Sequence, residues 1–312
     1  MRLLLLGADG QLGFELHRSL VPLGAISPTT RSGTLAGGGA AHALDLTDGR
    51  RLEALIAEVR PDWIINAAAY TAVDTAETER DLAGAVNGHA LAVIGRSARA
   101  VGARVLHYST DYVFDGCAER PYVSDDRPAP VNAYGASKLL GEELLLASGA
   151  PHLIVRTAWV YAARGRNFLR TMLRLGRERE ALRVVADQFG APTSARLIAA
   201  ASAAMLARMG TAPANDPRFG LYHLTASGRT SWHGFAQAII ERAHAQGLLA
   251  RAPVVEAISS AEFPTAAARP ASSLLDCRAL EQAFGLTLPA WQDDLARVLG
   301  EYDAPLSKLS PA

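Results

Sequence analysis

Cysteine is almost missing from this chain: Cys117 and Cys277 are the two among 312 residues, far apart and in no metal-ligand spacing. That excludes a disulfide framework and a thiolate zinc site, and it fits two free thiols in a reducing cytoplasm, where the protein is expected to work. An excess of either charge is missing too, with 31 basic residues facing 31 acidic ones. A neutral chain with interspersed charges offers no footprint for nucleic acid or an anionic membrane. Long apolar runs are also lacking. Leu3–Leu6 is stopped by Gly7, which is too short for a signal peptide or a bilayer span and suits a buried first strand. No internal repeat breaks the chain into modules.

What remains is a chain that is 49% apolar, large enough for one big domain or two unequal ones. Apolar runs of strand length alternate with amphipathic helical stretches, a pattern that predicts a parallel sheet covered by helices. Strands are predicted at Leu3–Leu6, Ala25–Thr30, Asp62–Asn66, Arg104–Ser109 and His152–Thr157. Helices are predicted at Gln11–Leu23, Asp48–Val59, Asp81–Val101 and Ala133–Ala147. The glycine-rich stretch Ser32–Ala41 reads as a mobile loop, and Pro121–Asn132, with three prolines, as a surface loop. Beyond Trp159 the pattern loosens. Helices are expected at Asn167–Gly176, Ala195–Met209, Trp232–Gln246, Arg278–Phe284 and Trp291–Glu301, and short strands near Leu182–Val185 and Gly220–Thr225. The division expected is a nucleotide-binding domain over 1–159, joined again by segments near 193–225, a smaller lobe over 160–303 and a frayed tail, 304–312.

Three motifs carry chemistry. The turn after the first strand is Gly7-Ala8-Asp9-Gly10-Gln11-Leu12-Gly13. Glycines between a strand and a helix let a pyrophosphate approach the free N–H groups of the helix start. About 20 residues further on, an NAD site carries an acidic residue for the ribose hydroxyls. Here Thr29-Thr30-Arg31-Ser32 offers none. Arg31 suits the 2′-phosphate of NADPH, with NADH still possible and a solvated loop arginine the plainer reading. Asp45 and Leu46 are placed to flank the adenine. The third motif, Tyr134-Gly135-Ala136-Ser137-Lys138, puts a phenol and an ammonium on one helix face. The ammonium is expected to lower the phenol's pKa from about 10. Thr110, at the end of the Arg104–Ser109 strand, supplies a hydroxyl where parallel sheets bind ligands.

These motifs, in this order, resemble the extended short-chain dehydrogenase/reductases. Within them the chain closely resembles the dTDP-4-dehydrorhamnose reductase family, through GADGQLG at Gly7–Gly13, NAAAYTAVDTAE at Asn66–Glu77, HYSTDYVFDG at His107–Gly116 and NAYGASKLLGE at Asn132–Glu142. The likeness continues in RTAWVYA at Arg156–Ala162, NFLRTML at Asn167–Leu173, DQFGAPT at Asp187–Thr193 and RPASS at Arg269–Ser273. It implies an α/β fold, a doubly wound parallel Rossmann sheet with a smaller C-terminal substrate-binding lobe. It implies NADPH-dependent reduction of the 4-keto group of a dTDP-linked 4-keto-6-deoxyhexose, with Tyr134 as proton donor, Lys138 its partner and Thr110 tuning both.

Further roles follow from the resemblance alone. Gly10, Gln11 and Leu12 hold the pyrophosphate, and Ala69, Tyr70, Thr71 and Tyr108 line the cofactor. Val73, Thr110, Asp111, Tyr112 and Trp159 contact the sugar nucleotide, although Tyr112 and Trp159 also suit core positions. Asn167 and Arg269 belong to the substrate lobe, Arg269 fitting a diphosphate or a surface salt bridge equally. Three alternatives stay open: a sister ketoreductase for another dTDP-4-keto-6-deoxysugar, a non-catalytic regulatory subunit of the methionine adenosyltransferase type, and an epimerase or dehydratase. Asp111-Tyr112 in place of an acidic pair disfavours the dehydratase. Some relatives form dimers through Mg²⁺ held by glutamates. The matching positions are Glu15, Arg196 and Gln292. One carboxylate of three is a poor set for a hard cation, so no metal is expected; Arg196 either pairs with Glu15 or lies on a solvated helix face, and the protein is expected to be a monomer or a metal-independent dimer.

Overall fold

The computed structural model describes residues 1–302. In chain order it runs β1 (Arg2–Leu6), α1 (Gln11–Leu20), β2 (Ala25–Thr30), β3 (His42–Ala43), α2 (Gly49–Val59), β4 (Trp63–Asn66), α3 (Arg80–Gly84), α4 (Ala90–Val101), β5 (Arg104–Thr110), α5 (Ala133–Ala147) and β6 (His152–Thr157). It continues with β7 (Val160–Tyr161), α6 (Phe168–Glu178), β8 (Ala181–Val185), β9 (Phe189–Gly190), β10 (Thr193–Ser194), α7 (Ala195–Met209), β11 (Gly220–His223), β12 (Thr230–Ser231), α8 (Trp232–Ala245), β13 (Val254–Ile258), α9 (Arg278–Phe284) and α10 (Trp291–Leu299).

Seven strands form one parallel sheet in the order β11-β6-β5-β4-β1-β2-β3. The chain winds outward from β1 through β2 and β3, returns to β4 on its other side, and winds outward again. β1 and β4 therefore flank the switch point where such sheets bind ligands at their carboxyl ends. The run Leu3-Leu4-Leu5-Leu6 explains why β1 is central. Leu3 and Leu5 pack with Leu16, Leu20, Ile198 and Leu280 against α1, α7 and α9. Leu4 and Leu6 face the other way, onto α2, α4 and α5. A strand apolar on both sides belongs between two helical layers. α7, β11 and α9, from the second half of the chain, thus complete the first core. A second core gathers Tyr161 with residues of α6, β8, α8 and α10, among them Leu169, Leu182, Phe235 and Leu295.

Several expectations change in detail. The helix expected over Asp81–Val101 is interrupted by a π turn at Ala85–His89, where the Asn87 amide bonds the backbone of Tyr70 instead of facing solvent. Ser32–Ala41 closes on itself as a small hairpin, with Thr34 bridged to Ala40. β13 was not legible because it is a largely exposed edge of the β8 pair, without an alternating pattern. The tail expected to fray, 304–312, lies outside the described residues.

Candidate active site

The turn after β1 is built for close approach. Gly7 has φ 78°, and a methyl group there would press on Ala68 at 2.8 Å. A methyl at Gly13 would run into the Gly7 carbonyl oxygen, so α1 can begin this near the strand only with glycine. α2, α5, α6, α7 and α8 each start with a side chain bonded to a free N–H. α1 starts at Gly10 with no such cap, which leaves its first N–H groups to an anion. The site thus fits a pyrophosphate. Gln11 bonds sideways to Arg166 and Asn167, and Leu12 packs against the first core.

Arg31 stands exposed just beyond β2 and makes no side-chain hydrogen bond or ion pair among the described residues. Its charge reaches Asp45, whose carboxyl is held below its ordinary pKa chiefly by the Thr47 N–H and hydroxyl. Leu46 is buried with Leu44 in the core, so its side chain is packing and not an open adenine contact. Ala69, Tyr70 and Thr71 follow β4, and the Tyr70 hydroxyl donates to Glu79 at 2.8 Å. Tyr108 corrects an expectation. Its ring points into the first core and its hydroxyl donates to Ser202 at 2.7 Å. What it offers the site is its carbonyl.

α5 begins as the proline-rich loop ends, with Asn132 Oδ1 accepting the Gly135 N–H at 2.8 Å. Tyr134, Lys138 and Glu142 then fall on one face, at intervals of four. Lys138 is 2% exposed. Its Nζ donates to the Tyr108 carbonyl at 2.7 Å and lies 3.4 Å from His107 Nε2. Burial pushes its pKa down to about 8, with Glu142 pulling the other way. The Tyr134 phenol lies above its ordinary pKa. Burial raises it most and the Asp111 charge adds to that, while the Thr110 hydroxyl lowers it. The expected depression by Lys138 does not appear among the causes of this shift; the Lys138 Nζ is directed at the Tyr108 carbonyl.

Thr110 closes β5 with its hydroxyl donating to Asp111 Oδ1 at 2.9 Å and accepting the Tyr112 N–H at 3.2 Å. Burial pushes Asp111 up to about 6, against the pull of Ser273 and Thr110. Asp111 Oδ2 is buried with no hydrogen bond of good geometry. The Tyr112 ring meets Tyr134 edge-on at 5.8 Å. Trp159, just past β6, holds φ 50°, a strained setting for a bulky residue. One face of its indole stacks on Trp232 at 3.6 Å, a partner the sequence did not suggest.

Two expected substrate contacts are otherwise engaged. Asn167 caps α6 through Oδ1, and its Nδ2 donates to Gln11, Ala162 and Arg164, so its amide is used up joining the glycine turn to the second lobe. Arg269 pairs with Asp74 at 2.8 Å, the salt bridge of its two readings, beside the partly buried Val73. Arg196 pairs with Glu301, not with Glu15. Glu15 is buried 3.6 Å from Arg18, with Arg164 also near, and Gln292 is exposed.

Sequence reasoning missed three buried groups. Asn87 bonds Tyr70 and Ser137 at 2.9 Å each and so ties the β4 loop to α5. Arg156 and Glu142 form a two-pronged pair at 2.9 and 2.6 Å. A charge inside the apolar run of β6 was the available signal, since a buried arginine demands a partner. His107, on β5, is the third.

A doubly wound sheet with an uncapped glycine turn at its switch point, and a threonine, tyrosine and lysine converging beyond the neighbouring strand, defines an oxidoreductase of the short-chain dehydrogenase/reductase class. The model of the RmlD substrate binding domain family matches residues 1–304. The chain belongs to that family. A dTDP-4-dehydrorhamnose reductase of Burkholderia thailandensis is 46% identical over 297 residues, covering 94% of this chain and 96% of its own. Two solved structures are similar throughout. A dTDP-4-dehydrorhamnose reductase of Bacillus anthracis, in complex with NADP, has a TM-score of 0.83 at 36% identity, covering 96% of this chain and 99% of that one. One of Clostridium acetobutylicum has a TM-score of 0.86 at 34% identity, covering 97% and 100%.

Proposed function

We propose that the protein reduces the 4-keto group of dTDP-4-dehydro-6-deoxy-L-mannose to give dTDP-L-rhamnose, with NADPH as the preferred reductant. The observation that carries this is the convergence of Thr110, Tyr134 and Lys138 at the carboxyl end of β5. A phenol carries its proton at neutral pH and can give it up to the substrate, which is what carbonyl reduction requires, since negative charge develops on the carbonyl oxygen as hydride arrives. The nicotinamide supplies that hydride when bound. Tyr134 delivers the proton to the forming hydroxyl. Thr110 lies beside the same oxygen; its hydroxyl donates to Asp111 in this structure and would turn from Asp111 to donate to the carbonyl when substrate binds. Lys138 anchors the floor of the cleft through the Tyr108 carbonyl and lies where a ribose hydroxyl could be held.

The free N–H groups at Gln11, Leu12 and Gly13 would hold the pyrophosphate, and Arg31 the 2′-phosphate. Asp111 Oδ2, buried and without a hydrogen bond, suits a sugar hydroxyl. The relatives' shared activity supports the substrate assignment. The absence of two of the three glutamate positions supports a metal-independent protein, monomeric or dimeric.

The direct test supplies the 4-keto sugar nucleotide, generated in situ, follows NADPH absorbance and determines the product by NMR. NADPH oxidation giving the rhamno configuration is expected. A different C4 epimer would make this a sister ketoreductase, and no oxidation with any such sugar would favour a non-catalytic binding subunit.

A further inference from the structure

Beneath Lys138 lies a titratable group that the reduction does not use. His107 is fully buried on β5. Its Nε2 is 3.4 Å from Lys138 Nζ. Its Nδ1 is 3.2 Å from Nδ2 of Asn66, the residue beside it on β4. Donor accounting settles where the imidazole proton sits. Asn66 Oδ1 accepts the Ala68 N–H at 3.2 Å, so turning the amide round would set two donors against each other. Nδ2 therefore faces His107 and can only donate. His107 Nδ1 must accept, and a neutral imidazole then carries its one N–H on Nε2, aimed at Lys138.

That arrangement discriminates between the two forms of Lys138. An ammonium has three N–H donors and no lone pair. One donates to the Tyr108 carbonyl, and toward His107 it meets another donor. A neutral amine turns a lone pair to the same N–H and completes the chain. We propose that Asn66 and His107 act as positioning residues that bias Lys138 toward its uncharged form and so set the pH at which it changes charge. This rests on the Tyr134–Lys138 reading above.

The surroundings agree. On α5, Lys138 faces Tyr134 one turn back and Glu142 one turn on, and the Glu142 carboxylate is already engaged by Arg156 from β6. From β5 it meets the Tyr108 carbonyl and His107. His152, at the start of β6, acts on His107 but not directly on Lys138. Burial and the neighbouring Lys138 keep His107 well below its ordinary pKa, hence neutral. Burial brings Lys138 down to about 8 despite Glu142.

The test uses the full chain labelled with ¹⁵N at histidine and needs no turnover, so a missing reductase activity would sink the proposed function without touching this result. Long-range proton–nitrogen correlation resolves the eight histidines, and His107→Gln identifies the signals of His107. The Nε2–H tautomer is expected, and the Nδ1–H tautomer or an imidazolium near neutral pH overturns the proposal. The pH profile of kcat gives the second arm. In His107→Gln the amide can turn its oxygen toward the ammonium, and in Asn66→Asp the acceptor-only carboxylate draws the imidazole N–H to Nδ1, which leaves Nε2 free to accept. Both variants should move the alkaline limb upward by about one pH unit, roughly tenfold in proton concentration. A limb that stays in place or moves down in either folded variant refutes the bias.

Discussion

Replacing Glu142 by alanine tests the polar layer under α5. Glu142 and Arg156 are 2% and 3% exposed at their side chains, and both oxygens of the carboxylate are used by the guanidinium. Arg156 Nη1 already lacks a partner among the described residues. The arginine has one other support, the Phe114 ring face at 4.9 Å, and its strand neighbour His223 leaves Nε2 unpaired. Breaking a buried pair from one side costs about 3–5 kcal/mol, which for a chain of this size lowers Tm by roughly 5–8 °C. Removing both charges, as Glu142→Leu with Arg156→Met, should recover most of the loss, because apolar pairs of similar volume are often neutral replacements. Thermal and urea unfolding of Glu142→Leu, Arg156→Met and the double variant form the required cycle, with Glu142→Ala read beside it. If Glu142→Ala falls within about 1 kcal/mol of the parent protein, or the double variant is as unstable as the single, the reasoning fails.

Tyr134→Phe should lower kcat by about 10²–10⁴-fold while NADPH still binds, and a fall below tenfold would remove Tyr134 as the acid. Arg31→Ala should raise KM for NADPH more than for NADH, and equal effects would take Arg31 out of the 2′-phosphate site. For Asp111, the folded pKa of about 6 stands above the ordinary 3.8, so the folded state binds the proton more tightly and stability falls as pH rises from about 4 through 6. Asp111→Asn lifts that penalty. It should stabilise the protein at pH 7 by roughly 3 kcal/mol and cost activity, and unfolding curves with unchanged pH dependence would contradict it. Sedimentation in EDTA and then in excess Mg²⁺ should give one unchanged species, since Arg196 is bound to Glu301; a metal-dependent shift would show that other ligands hold the ion.

Much of this protein was legible in its residues because the signals were local. The four leucines of β1, the glycine turn and the YxxxK spacing each specify their own geometry within one element, and the bounds of β2, α5, β6, α7 and α9 fell where periodicity and caps put them. What the sequence could not determine was which partners each side chain would meet. Tyr108 stands two residues before Thr110 on the same face of β5, yet its ring is taken up by the first core and its hydroxyl by Ser202 of α7, while Thr110 ends the strand at the sheet's edge. Asn167 and Arg269 are polar and suitably placed in the chain, but cross-lobe packing had already engaged them with Gln11 and Asp74. The alignment of Asn66, His107 and Lys138 joins β4, β5 and α5, and sequence spacing carries no trace of it. Local propensity determined the elements, and tertiary packing decided the hydrogen-bond partners, since a buried donor takes whichever acceptor the neighbouring layer brings within reach.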